Sequence, residues 1–422
     1  MARVLPLVGA RYIVPLLPPA LPLASVPVPL PCYNQLSHFK LDRHAVNATH
    51  SPSYRRIVAK AGTSVLTGRS DHLDTAILSR LVEQLAALHG EGREVLLVTS
   101  GAVAAGRQAL GQPRERRDVP FRQMLAAVGQ GRLMHLYQEL FARHGIVVAQ
   151  ALLTRADITY RQGYLNVRDT LLGLLEAKVV PIINENDVVA SEELGEEVFG
   201  DNDTLSALVS NLVDADLLVM LTDIAGLYTA DPATHPEAQL IPRVERVDDL
   251  IDEVAASEER HAWSRGGITA KLQAARLATS WGGAVVIARG NREDVLLEAA
   301  AGKEVGTYFC PTGNKVESRL RWLMSGLSTR GEIRVDDGAA RALRTLGRSL
   351  LPAGVREVIG DFERHDVVAI ADGQGQRIGC GVANYSAKDI AAIKGMHSAR
   401  IQEALGHRYG DEVVHRNNLV VM

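Results

Sequence analysis

VVPIINENDVVASEELGEEVFGDNDTLSALVSNL, residues 179–212, carries the pattern from which the fold follows. Val179, Val180, Ile182 and Ile183 form a short β-branched run of the kind buried in parallel sheets, and it stops abruptly at Asn184, Glu185, Asn186 and Asp187. After a polar loop, Gly200-Asp201-Asn202-Asp203 opens an apolar helical pattern. Asp201 or Asn202 can cap that helix, whose first N–H groups point outward at an anion. Polar groups crowded at the carboxyl end of such a strand lie where open α/β sheets bind ligands. The same residues also fit a solvated loop and a capped helix, so the rest of the chain must decide.

Working outward, apolar strand-like runs recur at 57–59, 94–98 and 147–153 upstream, and at 215–221 and 284–287 downstream. Helical spacing fills the intervals at 74–89, 103–110, 123–144, 161–177 and 272–279. Strand and helix in alternation predict an α/β fold, an open, mostly parallel sheet sandwiched by helices. Residues 243–259 are polar and acidic and read as a surface element. From Gly331 the pattern changes to short runs at 332–335, 355–359, 367–370, 377–378, 413–415 and 419–422, with one helix at 386–393. This predicts a small β-rich domain over 329–422, following an α/β domain over 55–322.

Several predicted strands end in chemistry-bearing residues. Lys60 precedes Gly62-Thr63-Ser64, a cation beside small donors that suits phosphate, although a lysine at a strand end is also commonly just solvated. No G-x-x-x-x-G-K-[ST] loop occurs anywhere in the chain. Ser100 closes the second strand within Thr99-Ser100-Gly101-Ala102, where small residues let a ligand approach the backbone or simply pack a turn. Thr222 and Asp223 end a later strand, and Gly266, Gly267 and Lys271 open the helix at 272–279, again a pattern suited to phosphate.

Composition bounds the partners. The chain has 422 residues, 46% hydrophobic and 23% charged, with a formal net charge of −3, which gives no electrostatic reason to expect nucleic acid or an anionic membrane as main partner. Three scattered cysteines, Cys32, Cys310 and Cys380, have no metal-ligand spacing and fit a reducing, cytoplasmic compartment. Residues 1–54 stand apart. Eight of the seventeen prolines fall before residue 32, and no stretch approaches the roughly 20 Pro-poor residues of a membrane span. This segment is expected to be a disordered extension, or upstream sequence included by a misassigned start.

Taken together, Lys60-Ala-Gly-Thr-Ser-Val-Leu-Thr67, Val98-Thr-Ser-Gly-Ala102, Leu125-Ala-Ala-Val-Gly-Gln130, Leu152-Leu-Thr-Arg155, Pro181-Ile-Ile-Asn-Glu-Asn-Asp187, Gly200-Asp-Asn-Asp203, Leu221-Thr-Asp223, Gly226-Leu-Tyr-Thr-Ala-Asp-Pro232 and Gly266-Gly267 with Lys271 resemble the glutamate 5-kinase branch of the amino acid kinase family. Ser349-Leu-Leu-Pro352, Gly379-Cys-Gly-Val382 and Val414-His-Arg416 resemble its C-terminal PUA domain. The resemblance implies transfer of the ATP γ-phosphoryl group to the side-chain carboxylate of L-glutamate, the first step toward proline, with Mg²⁺ accompanying ATP. It implies Lys60, Asp203 and Lys271 as catalytic residues. Ser100, Asp187 and Asn202 would hold the amino acid. Lys60, Thr222, Asp223, Gly266, Gly267 and Lys271 would hold the nucleotide, and no metal ligand is assigned on the chain itself. Feedback by L-proline and a homotetramer are implied as well. Arg265 and Ala270 stand where the family has threonines, which bears on nucleotide affinity rather than reaction type.

Two alternatives compete. A sister kinase of the same fold would act on N-acetylglutamate or a nucleoside monophosphate, but a free α-ammonium calls for an anionic partner such as Asp187. An RNA-binding role for the PUA-like domain is disfavoured by its 13 Lys and Arg against 12 Asp and Glu over 329–422.

Overall fold

Six-residue strands with aliphatic centres build the middle of the molecule. The computed structural model describes residues 54–111, 118–159, 161–189, 202–230, 232, 235–248, 250–251, 268–315 and 329–421; the Pro-rich segment lies outside them, apart from Tyr54. Strand β1 (Arg56–Ala61) pairs in parallel with β2 (Glu94–Thr99) on one side and β5 (Leu217–Thr222) on the other. Beyond β2 lie β4 (Val180–Glu185) and β3 (Val148–Leu153), and beyond β5 lies β7 (Ala284–Arg289), all parallel. The order β3-β4-β2-β1-β5-β7 is extended by β8 (Gly306–Phe309), antiparallel to β7, and by β6 (Arg243–Val244). The start of the polar 243–259 stretch is thus a two-residue edge strand, with Arg243 exposed.

Alternation along the strands sorts side chains onto two faces. Ile57, Ala59 and Ala61 join Leu97 on one face, against α2 (Thr75–Gly90), α4 (Val119–Ala142) and α9 (Val295–Ala300). Val58, Leu96 and Val98 join the other, against α6 (Arg161–Glu176), α7 (Asn202–Leu212) and α8 (Ile268–Ser280). Short α1 (Thr63–Leu66) and α5 (Arg155–Thr159) turn the chain after β1 and β3. Helix α3 (Ala102–Ala109) crosses α4 at backbone contact: a Cβ on Gly106 would lie 1.9 Å from the Leu125 carbonyl oxygen, and one on Gly129 would lie 1.8 Å from that of Ala102. Helix α4 begins earlier than its apolar pattern suggests because Asp118 caps it, accepting from Phe121 N at 2.9 Å.

The C-terminal sheet has the order β10-β9-β11-β12-β13, formed by β9 (Gly331–Val335), β10 (Val355–Gly360), β11 (Val367–Ala371), β12 (Arg377–Val382) and β13 (Leu419–Val421). Beside the expected helix, here α11 (Ala387–Ile393), it contains α10 (Asp337–Leu346) and α12 (Ile401–Leu405). Asp336 caps α10 by accepting from Ala339 N, and Gly347 closes it at φ 56°. The run at 413–415 is not a strand: Val414 makes one bridge, to Leu350.

One face of this second sheet continues the first core, since Val367, Cys380, Val382 and Val420 pack in the same cluster as Leu171, Leu212 and Leu218. Arg168 on α6 fastens the junction. Buried at 4% exposure, it donates to the Leu212 carbonyl at the end of α7, to Asp214 Oδ2 at 2.7 Å and to the Asn417 carbonyl at 3.1 Å. Asn418 Nδ2 donates to Asp169 beside it, at 3.0 Å. By contrast Arg416 and Glu176, 3.2 Å apart, are both more than half exposed. Removing one partner of a buried pair strands the other, so Arg168→Met is expected to cost about 3 kcal/mol of unfolding free energy in a denaturant titration, and Arg416→Ala less than about 1 kcal/mol.

Candidate active site

Strand parity places Lys60. It follows Val58 onto the sheet face covered by α7 and α8, at the carboxyl end of the central strand, and is 5% exposed. Asp203 sits in the first turn of α7, whose path from β4 to β5 carries the chain past β2 and β1. Lys271 lies in the first turn of α8, which packs on α7 through Ala274 and Ala275.

The three meet. Lys60 Nζ is 2.5 Å from Asp203 Oδ1, and Lys271 Nζ is 2.9 Å from Oδ2. Asp203 is fully buried, which by itself would raise its carboxyl pKa; the two ammonium groups outweigh that and hold it below the usual carboxylate range. Two cations around one anion leave surplus positive charge beside the N-termini of two helices, an arrangement that attracts an anion.

A second group adjoins the first along α7. Asn202 Nδ2 shares its two hydrogens among three acceptors, Ser100 Oγ at 2.6 Å, the Thr99 carbonyl at 3.0 Å and Asn184 Oδ1 at 3.2 Å. Asn184, at the end of β4, in turn donates to Gln130 Oε1 on α4 at 2.9 Å. Next along the chain from Asn184 are Glu185 and Asp187. Burial raises the Glu185 carboxyl to about 7, the nearby Asp187 charge adding to the shift and Arg122 opposing it. Burial also raises Asp187, again against Arg122.

The expected residues therefore fall into groups. Lys60, Asp203 and Lys271 converge, and so do Ser100 and Asn202. Thr222 and Asp223 stand at the end of β5, where Thr222 Oγ1 donates to Asp223 at 3.2 Å and Asp223 pairs with exposed Arg69 at 3.2 Å. Gly266, Gly267, Arg265 and Asp201 lie outside the described residues. Residue patterns did not single out Gln130, Arg122, Glu185 or Arg69 for a role. Glu185 carried a signal, a carboxylate ending a buried strand two residues before Asp187; Gln130 carried none beyond its motif.

The profile of the amino acid kinase family matches residues 55–289, and that of the PUA domain matches residues 331–405. A glutamate 5-kinase from Dehalococcoides mccartyi is 51% identical over 369 residues, covering 87% of this chain and 99% of that protein. Glutamate 5-kinases from Herpetosiphon aurantiacus (51% over 367 residues, 98% of that protein) and Deinococcus radiodurans (48% over 367 residues, all of that protein) each align with 87% of the chain. With a family profile spanning more than half its length, and relatives matched end to end at this identity, the chain belongs to the amino acid kinase family.

Proposed function

We propose that this protein transfers the γ-phosphoryl group of ATP to the side-chain carboxylate of L-glutamate, giving γ-glutamyl phosphate and ADP. The observation that carries the reading is the buried Lys60–Asp203–Lys271 cluster next to the Ser100–Asn202 pair, in a chain whose curated relatives are glutamate 5-kinases. A glutamate carboxylate is already ionised at pH 7, so no base is needed. Its oxygen attacks the γ-phosphorus as the bond to the β-phosphate oxygen breaks, and the electron pair leaves with ADP. Lys60 and Lys271 neutralise charge on the moving phosphoryl oxygens, and Asp203, with each oxygen committed to a lysine, holds both ammonium groups in place. Mg²⁺ would offset the charge of the ATP phosphates; with Asp203 already engaged, phosphate oxygens and water are its natural ligands.

Ser100, Asn202 and Asp187 suit the amino acid end of the substrate, and Thr222 and Asp223 the nucleotide. A free ammonium group favours Asp187 as its partner, which argues for glutamate over N-acetylglutamate. Cytoplasmic location suits the buried thiols Cys310 and Cys380, and no helix among the described residues is long and apolar enough to cross a membrane. Feedback by L-proline and a homotetramer rest on family resemblance; a proline titration of activity and sedimentation equilibrium test them.

ADP release coupled to glutamate, but not to N-acetylglutamate, is the expected result. Lys60→Met and Lys271→Met should each lower kcat by about 10²–10³. Turnover left intact in either variant, or purified protein indifferent to glutamate, would overturn the assignment.

The raised Glu185 carboxyl adds a pH dependence. An ammonium ion bound at Asp187 favours ionised neighbours, so it lowers the Glu185 pKa and substrate binding releases a proton. Affinity then increases with pH, and the KM for glutamate should fall up to about tenfold between pH 6 and 8, with its inflection near 7. Steady-state kinetics on Glu185→Gln should show that inflection lost.

A further inference from the structure

Gln130 lies on α4, opposite the sheet face that carries the lysine cluster, and belongs to none of the groups that meet phosphate or nucleotide. It reaches the site because α3 and α4 touch backbone to backbone at Gly106 and Gly129, the residue just before it. There its Oε1 accepts from Asn184 Nδ2 at 2.9 Å, and Asn184 Oδ1 accepts from Asn202 Nδ2 at 3.2 Å.

The polarity of this amide chain is imposed from one end. The Thr99 carbonyl belongs to the β-sheet backbone and can only accept, so Asn202 must turn its Nδ2 toward it. Asn202 Nδ2 then also faces Asn184, which must answer with Oδ1 and is left to donate its own Nδ2 onward. Gln130 ends the chain as the acceptor. That direction leaves two buried groups over: among the described residues, Gln130 Nε2 has no acceptor and Asn202 Oδ1 has no donor. An unpartnered acceptor next to Ser100 matches a ligand bearing N–H groups.

We propose that Gln130 is a positioning residue for the amino end of the substrate, acting through Asn184 to hold Asn202 with its Oδ1 available to the ammonium group. This rests on the reading of Ser100, Asp187 and Asn202 as the amino acid pocket. Without the Gln130 acceptor, Asn184, at 3% exposure, has a buried donor with nowhere to go, and rotating to satisfy it breaks the contact to Asn202.

The full-length enzyme and its Gln130→Leu and Gln130→Glu variants test this by KM for glutamate, KM for ATP, kcat and melting temperature. Gln130→Leu should raise the glutamate KM about tenfold, with the ATP KM and kcat within twofold of wild type. Gln130→Glu keeps an acceptor for Asn184 and should return the glutamate KM to within about threefold. If Gln130→Leu fails to fold, Gln130→Asn, one methylene too short to reach Asn184, takes its place. A glutamate KM unchanged in the Leu or Asn variant overturns the proposal. So do both KM values moving together with the melting temperature, or a Glu variant as impaired as Leu. Asn202→Ala serves as the control: if it leaves the glutamate KM unchanged, the pocket assignment fails, whereas a raised KM there with an unaffected Gln130→Leu sinks the relay alone.

Discussion

A carboxylate with no exposure to water is tolerable only if its charge is met, and at Asp203 it is met twice, by ammonium groups from β1 and α8. The arrangement requires the central strand to end where two helices begin. That follows from the strand order: α7 must carry the chain past β2 and β1 before β5 can pair on the far side. Helix α8 then runs beside α7 on the same face, with alanines at the contact. The positive surplus is assembled before any phosphate arrives, which is the condition under which fixed charge lowers a barrier without reorganising.

The amide chain is built on the same economy. No ionic group sets its direction; one backbone carbonyl, that of Thr99, does. Because β2 is flanked by β1 and β4, that carbonyl is held by sheet geometry rather than by side-chain packing. Under the proposed function, phosphate chemistry and amino acid recognition therefore share one rigid origin. Both begin at strand ends and both close on the first two residues of α7, Asn202 and Asp203.

Much of this was legible in the residues, for physical reasons. Parallel strands buried on both faces read as unbroken apolar runs, so β1, β2, β4, β5 and β7 stand out, and polar side chains at their ends mark the ligand edge. The edge strands β6 and β8, two and four residues long, are too short to leave a pattern. Helix α10 lies outside the predicted helices although Asp336 and Gly347 bracket it and Ala339, Ala342, Leu343 and Leu346 stand at helical spacing; within a run of short strands and turns, ten residues are a weak signal. The meeting of Lys60 with Asp203 is implied by the family resemblance; charge alone does not select one pair among 46 basic and 49 acidic residues. The place of Gln130 follows from neither: its position depends on two glycines in different helices letting their backbones touch, a relation that no local pattern encodes.

Helix α7 also joins the site to the C-terminal sheet. Its first turn holds Asp203, and its last carbonyl, that of Leu212, is bound by Arg168, which also binds the Asn417 carbonyl in the turn that leads into β13. Over eleven residues, roughly 16 Å, a helix is stiff, so its far end registers how the module is seated. The sheet face bearing Val367, Cys380, Val382 and Val420 is already covered by the kinase core. With that face occupied and its charges nearly balanced, the module is better suited to bracing α7 than to gripping a polyanion. The C-terminal sheet is thus a buttress on the helix that carries Asp203.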